Sequence, residues 1–153
     1  GSQFPIIFRF SQWKTGHYDA KLARTPVELE DFLTPLTEAG VDIFDCSTRR
    51  FWEPEFEGSR LNLAGWTKKL TGKPAISVGS VGLNREFTNV FDGGPEAETA
   101  SIEPLVERMQ AGEFDLIAVG RALLADAEWA QKIHHSREKE IRQFTKEALQ
   151  SLS

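Results

Sequence analysis

Apolar residues in this chain gather into four short clusters set apart by longer stretches of mixed polarity. The clusters are Pro5–Phe10 (PIIFRF), Val41–Cys46 (VDIFDC), Pro74–Val78 (PAISV) and Asp115–Val119 (DLIAV). Each is too short for a helix, and its Ile, Val and Phe run nearly continuously instead of alternating with polar residues. That pattern predicts strands covered on both faces, as in a parallel sheet.

Between the clusters the apolar spacing shifts to a helical period. Thr25-Pro26-Val27-Glu28 is a capping box with proline at the first helical position. Leu29, Phe32, Leu33 and Leu36 then share one face, and Gly40 marks the stop. Pro35 lies inside this pattern and predicts a kink or break there. A shorter helix is expected over Leu61–Leu70, stopped by Gly72. A third helical region begins near Asn84 (NREFTNVF). It is interrupted by the acidic loop Asp92–Ala100 (DGGPEAETA) and resumes over Ser101–Ala111, with Ser101 as cap and Gly112 as stop. A fourth helix is expected from Asp126 through Trp129 and Ile133, and a charged helical tail over Ser136–Ser153.

The resulting order, four strands alternating with four helices, implies a parallel sheet with right-handed crossovers. Strand starts fall 33 to 41 residues apart. Two architectures fit: four βα units of a (β/α)8 barrel, which makes half of one, or an open doubly wound sheet. Gly1-Ser2 reads as an expression scar, leaving residues 3–135 for the βα units and 136–153 for the tail. With 153 residues, 40% of them hydrophobic, the chain can bury a real core.

Charge and cysteine content narrow the function classes. A net charge of −5 gives no basic footprint for nucleic acid. No run of about 18 apolar residues exists to span a membrane, and no signal-peptide pattern opens the chain. The one cysteine, Cys46, cannot form an intrachain disulfide, which suits a reducing cytoplasm.

In both architectures ligands sit at the C-terminal ends of the strands. The third strand runs into Val78-Gly79-Ser80-Val81-Gly82, and the fourth into Val119-Gly120-Arg121-Ala122. Glycine lets backbone N–H groups approach an oxyanion closely, and the arginine fork suits phosphate. The plainer alternative is a pair of tight turns beside a surface arginine. Arg9, a charge inside an apolar strand, either projects toward an electron-rich ligand or forms a buried ion pair, with Asp45 as the nearest partner in sequence logic. The long connection Ser47–Leu63 carries Arg49, Arg50, Phe51, Trp52 and Phe56. It either borders a binding pocket or packs on itself. Cys46 lacks a base or helix start beside it and reads as a small core residue. His134 and His135 read as solvated, and His17 as an exposed loop residue.

The strings FRFSQWK, GVDIFDCSTRRFWEPEFEGSRLNLAGW, GKPAISVGSVGL and FDLIAVGRALLADAEW together resemble the C-terminal half of old yellow enzyme-like flavin oxidoreductases. The resemblance runs from about Phe4 to the last helix. It implies βα units five to eight of a (β/α)8 TIM barrel and an FMN cofactor reduced by NAD(P)H. It also implies a small substrate with an electron-poor, α,β-unsaturated C=C bond. Arg9 is similar to the family's strand-five arginine facing the pyrimidine end of the flavin. Gly79, Ser80, Gly120 and Arg121 match the two turns that hold the FMN phosphate. Trp13 and Lys14 would lie near the flavin edge, and the Ser47–Leu63 loop beside the substrate pocket. One departure is Ala127, where the family often has proline. A larger one is that the family's substrate-polarising and proton-donating residues belong to units one to four. The expected partner is therefore the N-terminal half-barrel or a second copy of this chain. Two rival readings remain: a non-catalytic half-barrel that self-associates through open sheet edges, and a phosphate-binding half-barrel of non-flavin chemistry.

Overall fold

The computed structural model describes residues 3–14, 16–86 and 94–150. Four strands form where the apolar clusters lie: β1 (Ile7–Ser11), β2 (Ile43–Ser47), β3 (Ala75–Val78) and β4 (Leu116–Ala118). All pair in parallel, in the order β1-β2-β3-β4. A doubly wound sheet reverses its strand order partway, so this order excludes it and leaves the singly wound arrangement of consecutive barrel units. Crossovers of one hand then place every helix on the same face of the sheet.

The two faces of the sheet differ sharply. Phe8, Phe10, Phe44, Cys46 and Ala75 turn toward the helices. There Phe10 meets Phe44 edge-on with ring centroids 6.2 Å apart and Phe32 at 5.6 Å. Leu29, Leu33, Leu63 and Phe114 complete this core, and none is more than 2% exposed. The alternate residues line the opposite face, where register sets Arg9 beside Asp45 and Ile76 beside Leu116. Ile7 and Leu116 there are 54% and 50% exposed. The expected cover on both faces is thus present on the helix face only, among the described residues. In a closed barrel the opposing strands fill the interior, and four strands cannot do so alone.

The helix α1 (Pro26–Glu38) starts at the predicted cap: Thr25 Oγ1 accepts the Glu28 amide, while the Glu28 carboxylate reaches one residue further back than a capping box requires and accepts the Arg24 amide. It runs through Pro35 without the expected break. Pro35 falls in the last turn, where only one ladder bond is forfeited, and the fully buried Leu29 and Leu33 anchor the helix before it. In α2 (Leu63–Thr71), Asn62 is the N-cap and Gly72, at φ +67°, the left-handed C-cap. The helix α3 (Glu103–Gln110) begins one residue later than the sequence suggested. Ile102 occupies the cap position, while Ser101 Oγ still accepts the Glu103 amide. The segment shows bends at Asn84 and Arg85 in place of a helix start, and the rest of that expectation beyond Glu86, with the start of the acidic loop, lies outside the described residues.

The helix expected from Asp126 begins only at Trp129, as α5 (Trp129–His134), and a short helix that the sequence did not suggest, α4 (Arg121–Ala125), precedes Asp126. Asp126 itself is extended and fully buried. Its carboxylate accepts the amides of Glu128 (3.1 Å) and Arg142 (2.9 Å) and Lys132 Nζ (2.7 Å). Those bonds divert the chain where a helix would otherwise start. The tail forms two short 3-10 turns, Glu138–Glu140 and Lys146–Leu149, in place of a continuous helix. The chain between them delivers Phe144, with no exposed surface, against Leu83, Ala97 and Ala125. No helix among the described residues is long and apolar enough to cross a membrane.

Candidate functional site

The turns after β3 and β4 converge at the C-terminal edge of the sheet, as parallel strands require. Between them lies a cavity of about 470 Å³, within the range of small-molecule sites. Arg9, Gly79, Ser80, Gly120 and Arg121 all line it. The structure therefore brings together five residues from the middle of β1 and the ends of β3 and β4, separated by up to 112 positions (9 to 121) along the chain.

Gly79 is fixed by sterics. Its φ is +143°, and a Cβ there would lie 2.6 Å from both the carbonyl oxygen and Oγ1 of Thr48. The turn is held down by Thr48, whose amide and hydroxyl both donate to Val78 O, and by the Phe51 amide, which donates to Gly79 O. Ser80 follows at φ +53°, a left-handed conformation unusual for serine. Its Oγ lies 2.9 Å from the carbonyls of Arg49 and Arg85, so its one proton can serve either, and it accepts from Arg121. The amides of Gly79, Ser80, Val81 and Gly120 donate to no group among the described residues. At Gly120 the space a Cβ would enter is open to 4 Å.

Arg121 is not a surface arginine: 8% of it is exposed. Its guanidinium donates to the carbonyls of Arg85 (2.6 Å) and Glu86 (3.3 Å) and stacks over Phe144 with 5.6 Å to the ring centroid. Burial pushes its pKa down, with the Glu86 carboxylate opposing that shift. A delocalised cation tolerates such burial better than an ammonium does.

Arg9 finds the expected partner in Asp45, but the pair is not buried on the arginine's side. It pairs with Asp45, Nε to Oδ2 at 3.6 Å, yet its side chain is 65% exposed toward the cavity. Nε donates to Ser47 Oγ at 2.8 Å. Trp13 also lines the cavity and meets the Tyr18 ring at a tilt, whereas Lys14 is not among the lining residues and its carbonyl accepts the His17 amide.

The Ser47–Leu63 loop divides between its two readings. Phe51 and Phe56 are buried, packing edge-on against Trp52 and Trp66, so the aromatics serve the loop itself. Thr48 and Arg49 reach the cavity. Arg49 and Arg50 both lie 3.2 Å from the buried Glu86 carboxylate; the Arg50 contact is a hydrogen bond, while the Arg49 ion pair lacks hydrogen-bond alignment. Asn62 is the hub: fully buried, it donates through Nδ2 to Phe51 O and Ser77 Oγ while capping α2. Cys46 has no exposed surface. Desolvation pushes its thiol up to about 12, the Thr67 hydroxyl opposes that only in part, and the Asp45 charge adds to it. It is a core residue. His17, His134 and His135 are exposed.

Sequence reading missed Ser11, Ser47 and Thr48 as lining residues. Small polar residues at strand ends carry no motif, and only the register reveals that Ser11, Ser47, Val78 and Ala118 form one row at the cavity floor.

No protein-family model matches the chain. It is 32% identical over 152 residues to NADH oxidase from Thermoanaerobacter brockii, a match covering 93% of this chain and 20% of that protein. The chain thus spans about a fifth of the length of that curated relative. Histamine dehydrogenase from Rhizobium sp. 4-9 superposes with a TM-score of 0.54 at 22% identity, over 94% of this chain and 18% of that one. For 6-hydroxypseudooxynicotine amine oxidase from Pseudomonas geniculata N1 the TM-score is 0.49 at 23% identity, over 90% and 18%. This chain is therefore an α/β unit of four parallel strands with flanking helices, shared in fold with part of histamine dehydrogenase and similar in sequence to part of an NADH oxidase.

Proposed function

We propose that this chain is the C-terminal half-barrel, βα units five to eight, of an FMN-dependent NAD(P)H oxidoreductase that reduces electron-poor C=C bonds. The observation that carries the reading is the convergence of Arg9, Gly79, Ser80, Gly120 and Arg121 on one cavity. The residues present fit a phosphate-bearing cofactor. Four backbone amides in two adjacent turns have no partners among the described residues, Gly120 leaves room for close approach, and two arginines supply charge. Similarity to an NADH oxidase supports a nicotinamide reductant.

In this reading FMN supplies the hydride chemistry when bound. The turns at Gly79–Ser80 and Gly120 hold its phosphate. Arg121 adds charge and, by fastening the carbonyls of Arg85 and Glu86, shapes the loop over that end. Arg9 faces the flavin ring, where a cation favours the anionic reduced state. Substrate polarisation and proton donation fall to the N-terminal half-barrel, which would also cover Ile7 and Leu116.

The test is titration of the chain with FMN and with riboflavin, which lacks the phosphate. FMN should bind at least about tenfold tighter, the size of one charge-assisted hydrogen bond, and Arg121→Ala should abolish most of that difference. Equal affinity for the two flavins, or Arg121→Ala leaving FMN binding unchanged, would sink the assignment. The chain alone should not turn over enones.

A further inference from the structure

The cation facing the cavity is not simply a side chain on a strand. Arg9 and Asp45 are register partners on β1 and β2, and Ser47 sits two residues nearer the strand end on the same face. The Arg9 side chain leans along that diagonal. Its Nε donates to Ser47 Oγ at 2.8 Å, with Asp45 Oδ2 3.6 Å behind. Its two terminal nitrogens have no hydrogen-bond partner among the described residues, although the side chain lines the cavity. Asp45 is only 15% exposed, and its Oδ1 is buried with no hydrogen-bond partner. A carboxylate so placed, with one oxygen unsatisfied, is costly unless a nearby positive charge offsets it. Arg9 is the charge that the structure places there, 3.6 Å from Asp45 Oδ2.

We propose that Ser47 and Asp45 are positioning residues for Arg9. Ser47 clamps the Nε edge of the guanidinium so that its terminal nitrogens face the cavity. Asp45 sets how much positive field Arg9 presents to whatever lies there. The second half rests on the flavin reading given above: Asp45 holds down the preference of the site for anionic, reduced flavin over oxidised flavin. Neither residue touches the cofactor's reacting atoms in this scheme, and the effect is carried entirely through Arg9.

Two measurements separate the halves. The first needs no cofactor. In ¹⁵N-labelled protein, the Arg9 Hε resonance is assigned by its loss in Arg9→Lys. Ser47→Ala should speed its exchange with water by roughly five- to tenfold, the loss of one net hydrogen bond, while the amide spectrum of the sheet stays in place. The second uses FMN-loaded protein. Asp45→Asn should raise the ratio of affinities for reduced over oxidised FMN by roughly tenfold, as removal of one neighbouring charge does, with oxidised FMN affinity changed less than about threefold. A purely structural role for Asp45 would weaken both forms equally. Unchanged Arg9 Hε exchange in Ser47→Ala overturns the clamp. An unchanged affinity ratio in Asp45→Asn overturns the field effect. Wild-type protein that binds no FMN refutes the flavin reading and the field effect with it, and the clamp then stands or falls on the exchange rate alone.

Discussion

Asp126 and Lys132 offer the sharpest test of what holds the segment after β4 together. Their side chains are 2% and 7% exposed, with Lys132 Nζ 2.7 Å from Asp126 Oδ2. Burial alone would raise the Asp126 pKa. The Lys132 hydrogen bond, with the amides of Arg142 and Glu128, outweighs it and holds the carboxyl below the usual range. Asp126→Asn keeps the shape and the amide contacts but leaves the Lys132 ammonium buried without its counter-charge. Removing one partner of such a pair costs about 3–5 kcal/mol. Glu128 Oε2, 3.6 Å from Lys132 Nζ, remains as a partial substitute on an exposed side chain. The lower end, about 3 kcal/mol, is therefore expected. Against a total of about 5–15 kcal/mol, and a urea slope of about 1–3 kcal/mol/M, the midpoint should fall by roughly 1–3 M in urea. Adding Lys132→Met removes the stranded charge, so the double variant should recover at least half of the loss. Acid should act in the same direction. A folded pKa below the unfolded one stabilises the wild type above about pH 3.9. That contribution fades as pH falls through the folded value, while Asp126→Asn has none to lose. A single variant costing under about 1 kcal/mol would show that Lys132 escapes to water. A double variant as unstable as the single would show that charge imbalance is not the cause.

Asn62→Ala removes the α2 cap and strands Phe51 O and Ser77 Oγ, both of which it serves from full burial. It should cost about 2–3 kcal/mol in urea unfolding, well above the roughly 1 kcal/mol expected for the more exposed cap Thr25→Ala. Gly79→Ala places a Cβ 2.6 Å from the Thr48 carbonyl at a φ of +143°. A loss of about 2–4 kcal/mol is expected, with weakened FMN binding in the folded fraction; a neutral outcome by calorimetry would mean the turn relaxes freely. Cys46, its thiol pushed up to about 12, should resist Ellman's reagent at pH 8 in the native state and react fully in urea. Because the neutral thiol is favoured in the fold, its contribution to stability is intact at neutral pH and declines as pH rises from about 9 toward 12, which alkaline unfolding curves of Cys46→Ala would lack.

Local chemistry made much of this protein legible along the chain. Four apolar clusters became four strands because short runs of Ile, Val and Phe flanked by glycine can bury themselves only as a parallel sheet with helices over it. Thr25 and Gly72 bounded their helices because a cap acts within a few residues of itself. Gly79, Ser80, Gly120 and Arg121 could be singled out because parallel strands put their C-terminal ends on one edge whatever the details of packing. What the chain order could not reveal depends on partners far away in sequence. Asp126 reads as a helix start until Lys132 and Arg142 claim its carboxylate, and Pro35 reads as a breaker until its place in a well-anchored last turn makes the lost bond tolerable. The sequence left open whether Arg121 lines a site or lies on the surface, and its burial shows only when the tail brings Phe144 over it. Whether Arg9 would pair or project was undecidable from β1 alone. Register with β2 gave it Asp45 and Ser47 on one side and the cavity on the other, so it does both, because only the sheet fixes which residues stand side by side.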